Sequence, residues 1–154
     1  LYEGEGQFVA LIKKDGTLKS NDFKLTENKQ FKDFISLYKL ENRSNEILKN
    51  SLYSLTRNFD VSKLNVLRYG VKCFELAKDI IPEHHLAKYL DSSISLSLNK
   101  EEVVKYLRGE TFPINAEDGF KVVSYENLNL GFIKVSKKVA KNHYPKGLRK
   151  VIKL

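Results

Sequence analysis

The chain contains no methionine, no tryptophan and a single cysteine, Cys73, among its 154 residues. One thiol excludes an internal disulfide framework and fits a reducing, cytoplasmic setting. A native start carries methionine, so a chain that begins at Leu1 and has none is expected to be a piece of a longer protein. No stretch approaches ~18 consecutive apolar residues, which excludes a membrane-spanning helix. No basic-then-apolar amino terminus ends in small residues, so no signal peptide is read there. The most informative absence is of acid. All 19 Asp and Glu lie at or before Glu126, together with 19 of the 27 Lys and Arg, so residues 1–126 carry no net charge. The last 28 residues hold Lys134, Lys137, Lys138, Lys141, Lys146, Arg149, Lys150 and Lys153 and nothing to balance them. Such asymmetry points to a polyanion partner, a nucleic acid or an anionic membrane. A solvated tail would lack the Leu130, Phe132, Ile133, Val135, Tyr144, Leu148, Val151 and Ile152 that this block also carries.

What is present reads as α+β. Residues 7–12, Gln-Phe-Val-Ala-Leu-Ile, are a continuous apolar run and predict a strand buried on both faces. A chain this small has little to cover both faces, which again fits a remnant of a larger sheet. Residues 15–25 are polar and read as a linker. Phe31, Phe34, Ile35 and Tyr38 follow the i, i+3, i+4, i+7 spacing of one helix face within 26–40. Ser51–Thr56 and Leu64–Leu76 predict strands, the second broken at Tyr69-Gly70. Pro82 suits the first turn of a short helix with Leu86, Tyr89 and Leu90 on its apolar face. Asn99 and Glu102 form a capping box, with Leu98 and Val103 as its staple, opening a helix that Gly109 should end. Residues 113–118 are loop. Gly119–Ser124 and Leu128–Ser136 then alternate around Tyr125-Glu126-Asn127 as a hairpin, and Leu148, Lys150, Ile152 and Leu154 predict a last strand. A short helix followed by short strands implies a small half-open barrel.

The stretch Lys141-Asn142-His143-Tyr144-Pro145-Lys146-Gly147-Leu148-Arg149-Lys150 concentrates the chemistry of nucleic-acid contact. Cations neutralise phosphates, Asn and His bond phosphates, 2′-hydroxyls or base edges, and Tyr stacks on an exposed base. With Lys134, Lys137 and Lys138, its Lys141, Asn142, His143, Tyr144, Lys146, Arg149 and Lys150 are the candidate contact residues. Composition leaves RNA and DNA both open. A basic turn with Tyr144 packed inside is the competing interpretation.

This segment also carries a resemblance. Lys-Asn-His-Tyr-Pro-Lys-Gly-Leu-Arg is similar to the terminal signature of bacterial Sun-family RNA cytosine-C5 methyltransferases of the RsmF type, where it closes a PUA-like RNA-binding module. Gly4-Glu-Gly-Gln-Phe-Val-Ala10 resembles the last strand of that family's catalytic domain. Arg68-Tyr-Gly-Val71 and Pro82-Glu-His-His-Leu-Ala87 resemble the region between the modules, and Tyr106-Leu-Arg-Gly-Glu110 with Leu130-Gly131 the PUA-like part. The resemblance implies a remnant strand at 1–16, an α+β connector subdomain at 17–90 and a PUA-like β-barrel with short helices at 91–154. It implies a partner rRNA, held so that a cytosine reaches the catalytic methyltransferase domain of the same parent chain. S-adenosylmethionine would belong to that missing domain. The alternative is an independent PUA-like RNA-binding or ribosome-associated module.

Catalysis is not expected of this piece. The family's chemistry needs two cysteines, one of them after a proline, and Cys73 follows Lys72. It reads instead as a small buried hydrophobe. Gly4 and Gly6 precede a strand and form no dinucleotide fingerprint. His84 and His85 are adjacent, so on a helix they point about 100° apart and make no i, i+4 metal pair. A His-dependent nuclease would need one of them beside a carboxylate in a cleft. His84 is expected to make a structural polar contact, Tyr106 to lie in the core, and Arg108 and Glu110 to face solvent.

Overall fold

The computed structural model describes residues 29–41, 44–48, 50–55, 70–76 and 80–150. The expected strand at 7–12, the linker at 15–25 and residues 151–154 lie outside the described residues. The helical pattern becomes α1, Lys29–Leu37. It stops because Lys39 adopts a left-handed φ of 53°, and the Leu40 N–H reaches back to the Ile35 carbonyl at 2.9 Å. Lysine here does what glycine usually does at such a cap, at some conformational cost.

Four strands follow as an antiparallel meander: β1 (Ser44–Leu48), β2 (Ser51–Leu55), β3 (Val71–Leu76) and β4 (Ile80–Pro82). Pro82 opens no helix. It ends the edge strand β4 opposite Phe74, where a missing N–H is tolerated, and a 3₁₀ helix starts two residues later at His84–Tyr89. Leu86 and Leu90 are buried as expected, along with His84 and Ala87, whereas Tyr89 is exposed. The Asn129 side chain donates to the Ala87 and Leu90 carbonyls at 2.9 and 2.8 Å, pinning this turn to the next sheet.

The second sheet is a curled half-barrel with strand order β5-β7-β8-β9-β6. Its members are β5 (Leu96–Ser97), β6 (Phe112–Pro113), β7 (Gly119–Tyr125), β8 (Leu128–Ser136) and β9 (Val139–Asn142). Helix α2, Lys100–Arg108, lies between β5 and β6 in the chain. Its capping box is complete, with Asn99 N–H to Glu102 at 2.8 Å and Glu102 N–H to Asn99 at 3.0 Å, and Gly109 ends it at φ 81°. The expected hairpin forms, turning at Glu126-Asn127, both left-handed as a two-residue turn between twisted strands requires. A second hairpin, turning at Lys137-Lys138, adds the unexpected β9. The predicted terminal strand does not appear within the described residues. Residues Lys146–Leu148 are a 3₁₀ turn, and the Lys150 N–H bonds the Leu107 carbonyl at the end of α2. Helix packing outcompetes sheet pairing there.

The two sheets share a core. Phe31 and Phe34 pack on Phe74 with ring centroids 5.2 and 4.6 Å apart, and Tyr38 meets Phe132 of β8 edge-on at 5.8 Å. Val122 and Phe132 of the half-barrel therefore belong to the same buried cluster as α1, Cys73 and Leu86. A separate cluster, with Tyr106, Ile133, Val135 and Ala140, fills the concave side.

Candidate nucleic-acid interface

Side chains alternate across a sheet, so the basic strands sort their residues onto two faces. On the convex face Phe120, Lys134 and Lys141 stand directly across from one another on β7, β8 and β9. The Lys134 Nζ lies over the Phe120 ring, 5.3 Å from its centroid. His143, just past β9, meets the same ring edge-on at 4.9 Å. Burial against this ring, and then the Lys134 charge, hold the His143 imidazole below its ordinary value. The row ends at the hairpin tip, where Lys137 and Lys138 are exposed. The tip is fixed by Asp118, which accepts the Lys137 N–H at 2.9 Å, and by Ile114, whose N–H donates to the Lys138 carbonyl.

The concave face uses the other candidates differently. Asn142 faces inward opposite Ile133. Its amide donates to the Tyr106 and Glu110 carbonyls at 2.8 and 3.2 Å, and its Oδ1 accepts the Tyr144 N–H at 2.8 Å. Tyr144 is half-buried between His84 at 5.3 Å and Tyr106 at 5.2 Å. Arg149 is exposed, yet its Nε and Nη2 both donate to the Tyr144 carbonyl at 3.3 Å. Its guanidinium also covers Gly109, where any Cβ would collide with it. These three residues spend their polar groups or ring surface on closing the barrel. Lys146 and Lys150 remain exposed. Arg108, expected to face solvent, is half-buried and lies 3.7 Å from Glu110.

One glycine ties the scattered motifs together. Gly131 sits at φ 153°, and a Cβ there would strike the Tyr106 hydroxyl and come within 2.7 Å of the His84 Nδ1. His84, Tyr106, Gly131 and Tyr144 come from four separate stretches of the chain and converge at this point. His84 is 9 % exposed and its Nδ1 has no hydrogen-bond partner among the described residues. Burial first, then His85 and Lys88 nearby, hold its imidazole below the ordinary value. Burial likewise pushes the Tyr106 phenol up. His84 and His85 meet edge-on at 5.7 Å, one inside and one exposed. Among the described residues no group of His, Cys, Asp and Glu is arranged to hold a metal ion. Cys73 is fully buried beneath α1.

No described helix is long and apolar enough to cross a membrane.

No local pattern in the sequence singles out Phe120. It is one apolar residue in an alternating strand, and only the strand register sets it beside Lys134 and His143. No curated protein matches the chain. Residues 93–150 match the family model described as the methyltransferase RsmF PUA domain, the span that holds α2, the curled sheet and the closing basic segment. Over these residues the chain is similar to the C-terminal PUA module of RsmF-type methyltransferases.

Proposed function

We propose that the chain binds RNA through the convex face of its PUA domain and serves an rRNA cytosine-C5 methyltransferase. On this reading the catalytic domain, with its S-adenosylmethionine, lies elsewhere on the parent chain, and this region presents rRNA to it. The observation that carries the reading is the row Phe120–Lys134–Lys141 with His143 at its end. Aromatic ring and cations alternate along this partly exposed sheet face, which suits bases and phosphates at once. Lys137, Lys138, Lys146 and Lys150 extend the positive field around it, while Asn142, Tyr144 and Arg149 hold its frame.

The test is a paired charge reversal with loop-containing rRNA fragments. Lys134→Glu with Lys141→Glu should weaken binding about a hundredfold, as expected for two lost phosphate contacts replaced by repulsion. Lys88→Glu with Lys100→Glu changes net charge equally, on exposed sites away from this face, and should cost less than threefold. Binding should also fall with salt at a log–log slope of about −3 to −4, from ~0.7 per phosphate and roughly four to six contacts. Equal losses from the two double variants would show general attraction rather than a site.

A further inference from the structure

Beside the Phe120 row the convex face opens into a groove that the phosphate chemistry does not use. Its floor is Phe34 of α1 and Tyr38 just past its end, and Gln30, Ile80, Pro82 and Phe120 line its walls around about 350 Å³. Leu37 stands at its rim, 61 % exposed, with no packing role in either core. The volume lies at the lower end of the ~300–1,000 Å³ typical of small-ligand clefts, too little for a partner helix and enough for one flat ring system. Asp33 is the acidic group on its lining. A carboxylate there disfavours a phosphate inside the groove and favours a hydrogen-bond donor. Lys134, over the Phe120 ring, and Lys141 across from it lie outside the groove lining and suit the backbone phosphates. Charge thus orients a nucleotide in one direction, phosphate toward the lysines and base edge toward Asp33.

We infer that this groove takes a single unstacked nucleobase bearing an exocyclic amino group, stacked against Phe120 and read by Asp33. The inference rests on the RNA-binding reading and narrows it to single-stranded or splayed-out segments. Duplex RNA keeps its bases stacked and paired, so it reaches the lysines and not the groove. Carboxylates accept hydrogen bonds from the cytosine amino group, whereas uracil presents an acceptor at the same position.

Fluorescence anisotropy on the full chain, with oligocytidine and oligouridine hexamers and a short RNA duplex, separates the parts. The wild type should prefer oligocytidine to oligouridine. Phe120→Leu keeps apolar bulk and should weaken hexamer binding about tenfold, through lost ring stacking, while duplex binding changes less than twofold. Asp33→Ala, at an exposed position, should equalise the two hexamers. If both variants bind every RNA like the wild type while Lys134→Glu with Lys141→Glu does not, the groove inference is overturned and the RNA-binding reading stands. If the lysine variant also binds normally, the reading itself falls. If Leu37→Asp changes the sedimentation of the protein without changing hexamer affinity, a second copy occupies the groove and the inference is equally overturned.

Discussion

The two faces of the β8–β9 hairpin use the same kind of sequence for opposite purposes. On the convex side Lys134 and His143 contact one aromatic ring, and Lys141 stands exposed across from Lys134. On the concave side Asn142 bonds the Tyr106 and Glu110 carbonyls and the Tyr144 N–H, while the exposed Arg149 of the closing segment bonds the Tyr144 carbonyl. Polarity in a basic segment therefore does not tell which side chains face outward; strand alternation does. The terminal signature is about half structural, and the residues that keep the barrel closed are interleaved one by one with those that face outward.

The comparison breaks most severely at Gly131. Gly131→Ala adds a methyl group against the Tyr106 hydroxyl and His84 at a φ that side chains rarely adopt. Backbone strain of ~1–3 kcal/mol and overpacking of similar size should together cost about 3 kcal/mol. Thermal denaturation should show a drop of more than ten degrees, on a ~4–8 °C per kcal/mol scale for small domains. An unchanged melting temperature would mean that the four converging motifs are not held by this contact.

Next in size is Asn142→Ala. It removes two donors and one acceptor, and the Tyr144 N–H loses its partner, so stability should fall by about 2 kcal/mol, three hydrogen bonds at ~0.7 each. RNA affinity, measured below the melting transition, should stay within threefold of wild type. A hundredfold loss in a folded Asn142→Ala protein would place this amide at the RNA instead of in the frame.

How far these assignments could be read in advance follows from the range of the signals. Helix α2 was legible to the residue, because the capping box, staple and Gly109 are local codes. The first hairpin was legible from alternation around Glu126-Asn127. Strand β9 was not, since its turn consists of Lys137-Lys138, which carries no glycine or asparagine signal although both residues are left-handed. The alternating Leu148 and Lys150 suggested a strand, but a neighbouring helix end with a free carbonyl at Leu107 captured the backbone. The cations were found by composition alone. Their division into outward and inward residues, and the part played by Phe120, depend on cross-strand register, which no local pattern encodes.

The smallest effect offers the sharpest comparison, because each face owns a histidine with a depressed pKa. His84 is lowered by burial and then by His85 and Lys88, and His143 by burial and then by Lys134. For both, the folded state binds a proton less readily than the unfolded chain. Stability is therefore full above the ordinary value of 6.5 and declines as pH falls from there to each folded pKa, then levels off. RNA should separate the two. A phosphate beside Lys134 cancels the charge that disfavours protonated His143, so its pKa should rise on binding. His84, enclosed between Tyr144 and Gly131, meets no phosphate and should titrate unchanged. Because the bound form then holds the proton more tightly, affinity should grow as pH falls from the bound pKa of His143 toward its free value. Histidine ring proton shifts, followed by nuclear magnetic resonance with and without a loop RNA, measure both groups in one titration. A shift at His84 with none at His143 would move the RNA from the convex face to the barrel end.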